Sequence, residues 1–266
     1  MAITPRRRAE HLRPSVFPLK HDRISIVTAP LEDADVETAS ADYAKRFDSP
    51  VGEWMLGVQG EITVDLLRDL PSARILDVGG GHGQVATALA ARGFRVSVLA
   101  SSPAAVASTL RPALESGRIH LLTGDLRNPP LEPGSFDGVV SYRLLAHARD
   151  LPGLIAGLCR CANRAVVVDY ATTRSFNAIA EPLFAAKKRV ERNTRPFRVL
   201  KDAEVADLFR HNGFHSRQRR PQFFWPMALH RALKSPGLSR GLEILARVLG
   251  LRALFGAPVI ARFDRD

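Results

Sequence analysis

Short apolar runs alternate with amphipathic stretches between residues 74 and 169. The pattern predicts strands at 75–78, 94–99, 119–122, 136–140 and 165–168, with helices at 84–92, 103–115 and 151–161 between them. The last of these strands is a run of Ala165-Val166-Val167-Val168, which suits a strand buried on both faces. Strands and helices alternating at this spacing predict an α/β fold with a doubly wound, mostly parallel sheet.

The flanking regions have different patterns. Residues 1–40 contain scattered prolines and an acidic patch, so we expect a loosely ordered N-terminal arm with a short strand at 24–27. Residues 41–69 have apolar positions at helical spacing, interrupted at Pro50-Val51-Gly52. After residue 169 we expect helices at 175–192, 202–212 and 227–255, and strands at 214–225 and 258–263.

The composition limits the partners and the compartment. A net charge of +11 and a pI near 10.5 favour nucleic acid, an anionic membrane surface or an acidic substrate, although a solvated surface would give the same balance. Cys159 and Cys161 stand two positions apart, which predicts small core residues in a reducing compartment and no disulfide or metal site. The sequence has no run of 18 apolar residues and no secretory signal, so we expect a cytoplasmic protein, with peripheral membrane contact left open.

A glycine loop follows the first predicted strand, with the sequence Asp77-Val78-Gly79-Gly80-Gly81-His82-Gly83. Glycines allow positive φ and let a ligand lie against the backbone, and the helix that follows offers amide donors. The dinucleotide fingerprint Gly-x-Gly-x-x-Gly requires a glycine at position 84, where this chain has glutamine. The spacing of the loop therefore does not fit the dinucleotide fingerprint.

The loop resembles the first motif of class I S-adenosylmethionine (SAM)-dependent methyltransferases. Three further segments resemble that family in order and spacing, namely Gly124-Asp125-Leu126, Phe136-Asp137-Gly138-Val139-Val140-Ser141 and Leu144-Leu145-Ala146-His147. The resemblance covers residues 41–225 and the last strand, and it implies a seven-stranded sheet whose last strand is antiparallel. We therefore expect a methyltransferase domain at 41–266, with acceptor-side insertions at about 170–200 and 226–256, the second forming a helical lid.

The resemblance also implies SAM as the cofactor and assigns residues to it. Asp77 would lie near the methionine ammonium group, with Gly79, Gly80, Gly81, His82 and Gly83 around the cofactor and Tyr142 beside its methionine portion. Asp125 would bond the adenine amino group next to Leu126, and Tyr43 and Arg46 would lie on an N-terminal helix that folds over the cofactor. The family's ribose-binding acid is missing, because Ala100 stands at its position, and Ser101 and Ser102 are the nearest polar substitutes.

Methyl transfer from a sulfonium depends chiefly on alignment, and a general base helps when the acceptor is a hydroxyl. His147 is the candidate base, with a packing role as the alternative, and Asp169 either orients the substrate or caps a turn. Aromatic and basic residues in the insertions favour a small or lipophilic acceptor, with O-methylation preferred, or a helix on an anionic membrane. An RNA- or ribosome-directed methyltransferase and a non-catalytic SAM-fold binding protein stay open as alternatives, and the oligomeric state is left undetermined.

Overall fold

A computed structural model of the chain describes residues 34–38, 45, 47–176 and 198–266. Its centre is a seven-stranded sheet in the order β3-β2-β1-β4-β5-β7-β6, in which only β7 runs antiparallel to its neighbours. The strands are β1 (Arg74–Val78), β2 (Arg95–Ala100), β3 (Ile119–Thr123), β4 (Phe136–Ser141), β5 (Ala162–Tyr170), β6 (Phe214–Phe223) and β7 (Ala257–Arg265). The predicted fold class, including the antiparallel last strand, is confirmed.

Helices cover both faces of the sheet. They are α1 (Ala34–Thr38), α2 (Pro50–Leu66), α3 (Gln84–Ala90), α4 (Arg111–Glu115), α5 (Leu151–Cys161), α6 (Asp202–Arg210), α7 (Met227–Leu233), α8 (Pro236–Val248) and α9 (Leu251–Phe255). One core joins alternate residues of the strands to α5 and α6, and a second joins the opposite residues to α2 and α3. Each central strand is therefore buried on both faces, which is why its sequence is an almost continuous apolar run.

Two predicted helices differ from the structure. The interruption expected at residues 50–52 is instead the start of α2, because Ser49 caps it by accepting a hydrogen bond from the Gly52 amide at 3.1 Å. The helix expected at 103–115 is instead two 3₁₀ turns, Pro103–Ala105 and Ser108–Leu110, followed by the short α4. The Ala107 amide donates to the Gly81 carbonyl in the glycine loop at 2.9 Å, so this segment bonds across to the loop and not along a helix.

The expected lid at 226–256 consists of the three helices α7, α8 and α9, and a buried carboxylate holds it in place. Glu243 of α8 accepts hydrogen bonds from the amides of Phe224 and Trp225, and its Oε1 lies 3.0 Å from His230 Nε2 of α7. Glu243 and His230 are both buried. A buried carboxylate with this many donors is well satisfied, so it sets the rotation of α8 about its own axis.

Several predictions fall outside the described residues. They are the strand at 24–27, nearly all of the helix at 175–192, and the cofactor contacts of Tyr43 and Arg46. Cys159 and Cys161 are both buried in the core as expected. Within the described residues, no helix is long and apolar enough to cross a membrane.

Candidate active site

The glycine loop connects β1 to α3 at the carboxyl end of the central strand. Gly79 and Gly83 have φ of 75° and 71°, a conformation that favours glycine. Beside the loop lies a narrow cavity of about 10 Å³, the loop cavity, lined by Asp77, Gly79, Gly80, His82, Gly83, Gln84, Val85, Tyr142 and Arg143. The structure thus brings five of the seven loop residues together with Tyr142 around one cavity, and their contact with the cofactor stays a prediction.

Asp77 is the buried acid of this cavity. Burial raises its pKa to about 7, while the Arg143 charge and a hydrogen bond from the Ala86 backbone oppose that rise. Its Oδ1 atom has no hydrogen-bond partner among the described residues. A buried, unsatisfied carboxylate oxygen costs free energy unless a donor reaches it, so this atom is a ready acceptor for a cationic ligand group.

The other loop glycines have protein neighbours. A Cβ at Gly80 would lie 2.1 Å from Asp77 Oδ2, and a Cβ at Gly81 would lie 1.6 Å from the Ala105 carbonyl oxygen. Gly81 does not line the loop cavity, and it allows the segment after β2 to pack against the loop. His82 is buried and lines the cavity, and its carbonyl accepts a hydrogen bond from Thr109.

The end of β2 has an acid that the sequence did not indicate. Ala100 is fully buried, but Asp35 of α1 is buried beside it, and its Oδ2 accepts a hydrogen bond from the Ser101 amide at 2.7 Å. A Cβ at Gly79 would lie 3.6 Å from the Asp35 Cβ, so Asp35 lies between the loop and the end of β2. Ser101 Oγ is buried there and has no partner among the described residues.

The remaining predicted cofactor residues lie elsewhere. Ser102 precedes a 3₁₀ turn and its carbonyl accepts from the Ala105 amide at 3.0 Å. Asp125 Oδ1 accepts from the Arg127 amide at 3.0 Å, and Leu126 is buried in the core. None of the three lines the loop cavity, so their contact with the cofactor stays a prediction.

Residues 142 and 143 follow β4 and face the loop. Tyr142 is buried with its hydroxyl 2.5 Å from Thr63 Oγ1 of α2, and burial raises its pKa well above the usual value. Arg143 has a left-handed φ of 61°, which is strained for a residue with a side chain, and its amide donates to Asp169 Oδ1. Asp169 therefore holds the turn that follows β4, and not a turn that follows Asp169 itself.

A second cavity of about 330 Å³, the acceptor cavity, lies next to the loop cavity, and Arg143 lines both. Its apolar walls come from α2 and the turn before it, from the end of β6 and from the starts of α7 and β7, through residues such as Phe47, Met55, Leu56, Phe223, Met227 and Pro258. Its polar residues are Gln59, Arg143, His147, Asp169, Ser175 and Gln222. The volume is that of a small-molecule site.

Two glutamines set the polarity of the acceptor cavity. Gln59 and Gln222 are each more than nine-tenths buried, and the Nε2 atom of each has no partner among the described residues. Buried amide groups without partners favour a ligand that hydrogen-bonds to them. Sequence reasoning missed both, because a single glutamine in a helix or a strand carries no signal of its own.

His147 and Asp169 both line this cavity. His147 ends a 3₁₀ turn, Leu145–His147, and is partly exposed. Asp169 is buried near the carboxyl end of β5, and burial raises its pKa to about 6, against the opposing effects of the Arg143 amide and charge. Asp169 can therefore change protonation state close to neutral pH, which an ordinary surface carboxylate does not do.

Comparison with known proteins bears on the fold of this chain. Residues 75–164 match the family model of a methyltransferase domain. Magnesium protoporphyrin IX methyltransferase from Synechocystis, solved with S-adenosylhomocysteine, is 16% identical with a TM-score of 0.60, over 86% of this chain and 97% of that chain. No curated protein matches the sequence.

Two other solved structures share the fold at similar distance. A methyltransferase of Thermotoga maritima, described as a possible histamine N-methyltransferase, is 17% identical with a TM-score of 0.58, over 87% of this chain and 99% of that chain. Geranyl diphosphate C-methyltransferase of Streptomyces coelicolor is 17% identical with a TM-score of 0.56, over 79% of this chain and 76% of that chain. At such identities the likeness shows the fold and not the acceptor.

The family model of a methyltransferase domain and the shared fold of solved SAM-bound methyltransferases imply SAM as the cofactor. The residues present fit the group. Among the described residues, Asp77 Oδ1 and Ser101 Oγ are both buried and have no hydrogen-bond partner. These are the acceptors and donors that the ammonium group and the hydroxyls of the cofactor require.

Proposed function

We propose that this protein transfers a methyl group from SAM to a small, largely apolar acceptor that binds in the acceptor cavity. The observation that carries the proposal is the position of Arg143, which lines both the loop cavity and the acceptor cavity. Two adjacent sites of this kind bring two reactants together in a fixed orientation, which is the main requirement of methyl transfer.

We propose that Asp77 binds the ammonium group of the cofactor. We propose that Asp35 binds the ribose, the role that an acid at the end of β2 has in the family. Asp35 is buried beside Ala100 and bonds the Ser101 amide, so its carboxylate lies where the strand itself has none. Replacing Asp35 by asparagine should weaken SAM binding about tenfold or more, since a hydrogen bond to a charged group contributes about 1.5–3 kcal/mol. Unchanged affinity by calorimetry would contradict this role.

The acceptor is proposed to carry a polar group at one end of an apolar body. Met55, Phe223 and Met227 offer apolar walls, whereas Gln59 and Gln222 place buried amide groups in the same cavity. Replacing either glutamine by leucine should raise the KM for the acceptor and leave SAM affinity unchanged. An equal loss of SAM binding would mean that the cavity belongs to the cofactor.

We propose oxygen as the methylated atom and His147 as the base that takes its proton. When bound, SAM supplies an electrophilic methyl group on a positively charged sulfur. Asp169 holds the Arg143 turn, and both His147 and Asp169 line the cavity. His147→Gln should lower kcat about 10²- to 10⁴-fold with SAM affinity retained. If Asp169→Asn has that effect and His147→Gln has none, Asp169 is the base.

The experiment that tests the whole proposal has two parts. Calorimetry of the full chain with SAM and S-adenosylhomocysteine measures cofactor binding, and labelled SAM with alkylphenols, long-chain acids and aromatic amines measures transfer. Binding of SAM with transfer to a lipophilic acceptor supports the proposal. A chain that binds no SAM at millimolar concentration would instead be a non-catalytic protein.

An RNA-directed activity is less well supported. The net charge of +11 favours it, but the basic cluster at 217–220 is paired within the protein. Arg217 lies 2.9 Å from Asp264, Arg219 lies 3.1 Å from Asp202, and Arg220 lies 3.3 Å from Asp65. Binding to bulk RNA that survives physiological salt would reverse this preference.

A further inference from the structure

The lid has an apolar surface that faces solvent. Six large side chains of α8, its C-terminal cap and α9 are half-exposed or more, and together we call them the α8–α9 apolar face: Leu238, Ile244, Leu245, Val248, Leu249 and Leu254. Val248 is 75% exposed and Leu249 is 61% exposed. Single exposed apolar residues are common, but a contiguous set on neighbouring turns marks an interaction surface.

The apolar face is a consequence of how α8 is held. With 3.6 residues per turn, Leu238, Leu245 and Leu249 lie on one side of the helix, and Ser239, Glu243 and Ala246 lie on the other. The second side is the buried one. The bonds from Phe224, Trp225 and His230 to Glu243 fix this rotation, so α8 cannot turn its leucines inward without leaving a buried carboxylate unsatisfied.

The exposed charges of the lid helices themselves are of one sign. Arg240 and Arg247 are exposed along one border of the apolar side, and α9 contributes Arg252. Residues 227–256 contain a single acid, the buried Glu243, against five basic residues: Arg231, Lys234, Arg240, Arg247 and Arg252. A helix with an apolar face bordered by arginines matches the interface of an anionic bilayer, where apolar side chains enter the acyl region and arginines meet the headgroups.

We propose that the α8–α9 apolar face docks on a membrane surface that contains anionic lipids. A second copy of this chain is a weaker match, since face-to-face pairing would bring the positively charged borders of both copies together. An anionic bilayer offers an acyl region to the leucines and negatively charged headgroups to the arginines. This inference does not depend on the proposed methyl transfer, because docking is measured without cofactor or acceptor.

The test measures binding of the full chain to phosphatidylcholine vesicles by co-sedimentation. One set of vesicles contains no anionic lipid, and in the other about a third of the lipid is phosphatidylglycerol. Leu245→Ser with Val248→Ser keeps the net charge and should weaken binding to the anionic vesicles about 100-fold. Arg240→Gln with Arg247→Gln should weaken binding to the anionic vesicles about 25-fold, because each arginine near the surface contributes about fivefold to the affinity. The matched charge control, Arg68→Gln with Arg92→Gln outside the lid, should change it much less.

Circular dichroism checks that each variant is folded. No binding of the unmodified chain to anionic vesicles overturns the proposal. Binding that the serine variant retains also overturns it, because attraction of a basic protein to an anionic surface would then suffice. A dimer in sedimentation velocity that the serine variant dissociates, without vesicle binding, would assign the face to a second copy instead.

Discussion

Replacing Asp77 by asparagine should stabilise this protein at pH 8 while weakening its cofactor site. The folded-state pKa of Asp77 is about 7, against 3.8 for an unperturbed aspartate. The difference between these two pKa values means that the ionised carboxylate costs the fold about 4 kcal/mol. Asparagine keeps the shape and an oxygen for the Ala86 backbone, but its buried amide hydrogens lack partners, which costs about 1–3 kcal/mol. We expect a net gain of about 2 kcal/mol.

The sign of the pH dependence follows from the raised pKa. Between pH 3.8 and pH 7 the folded protein retains a proton on Asp77 that the unfolded chain releases, so the penalty is absent at pH 3.8 and fully present above pH 7. The stabilising effect of Asp77→Asn should therefore be present at pH 8 and disappear near pH 4. For a chain of this size, 2 kcal/mol is a rise in Tm of about 4–8 °C.

Thermal unfolding followed by circular dichroism at pH 5 and pH 8 measures this difference. The same variant titrated with SAM should bind at least tenfold more weakly, since a charged hydrogen bond is lost. For the unmodified chain, SAM affinity should rise roughly tenfold between pH 6 and pH 8, because the ammonium group favours the ionised carboxylate. If Asp77→Asn destabilises the protein equally at both pH values, the ionised Asp77 carboxylate does not cost the fold free energy.

Two further predictions concern the fold itself. Gly81→Ala should destabilise the protein by about 3 kcal/mol or more in a denaturant titration, because its Cβ would lie 1.6 Å from the Ala105 carbonyl oxygen. Gly57 of α2 has open space around it, so Gly57→Ala should stabilise the protein by about 0.5–1 kcal/mol in the same titration. Arg262 holds the pKa of Asp69 below its usual value, so this pair stabilises the fold above the unfolded pKa and loses that effect as pH falls through the folded pKa. Arg262→Gln should therefore remove part of the acid sensitivity below pH 4, and an unchanged acid profile would contradict this.

The sequence by itself determined the sheet and the glycine loop. The apolar runs of β1, β4 and β5 predict buried parallel strands, because a strand covered on both faces has little room for polar residues. The loop at 79–83 is equally local, since its geometry depends on glycines within a few positions of one another. Local interactions of this kind are readable from neighbouring residues.

Tertiary structure decided the contents of the site. Asp35 and Ser101 are 66 positions apart, and no pattern in either segment predicts that the arm carries an acid to the end of β2. Gln59 and Gln222 meet in one cavity only because α2 packs against the end of β6. The rotation of α8 was likewise undetermined, because its leucines alone favour burial. The bonds of Glu243 to the amides that follow β6 and to His230 of α7 turn these leucines to the solvent.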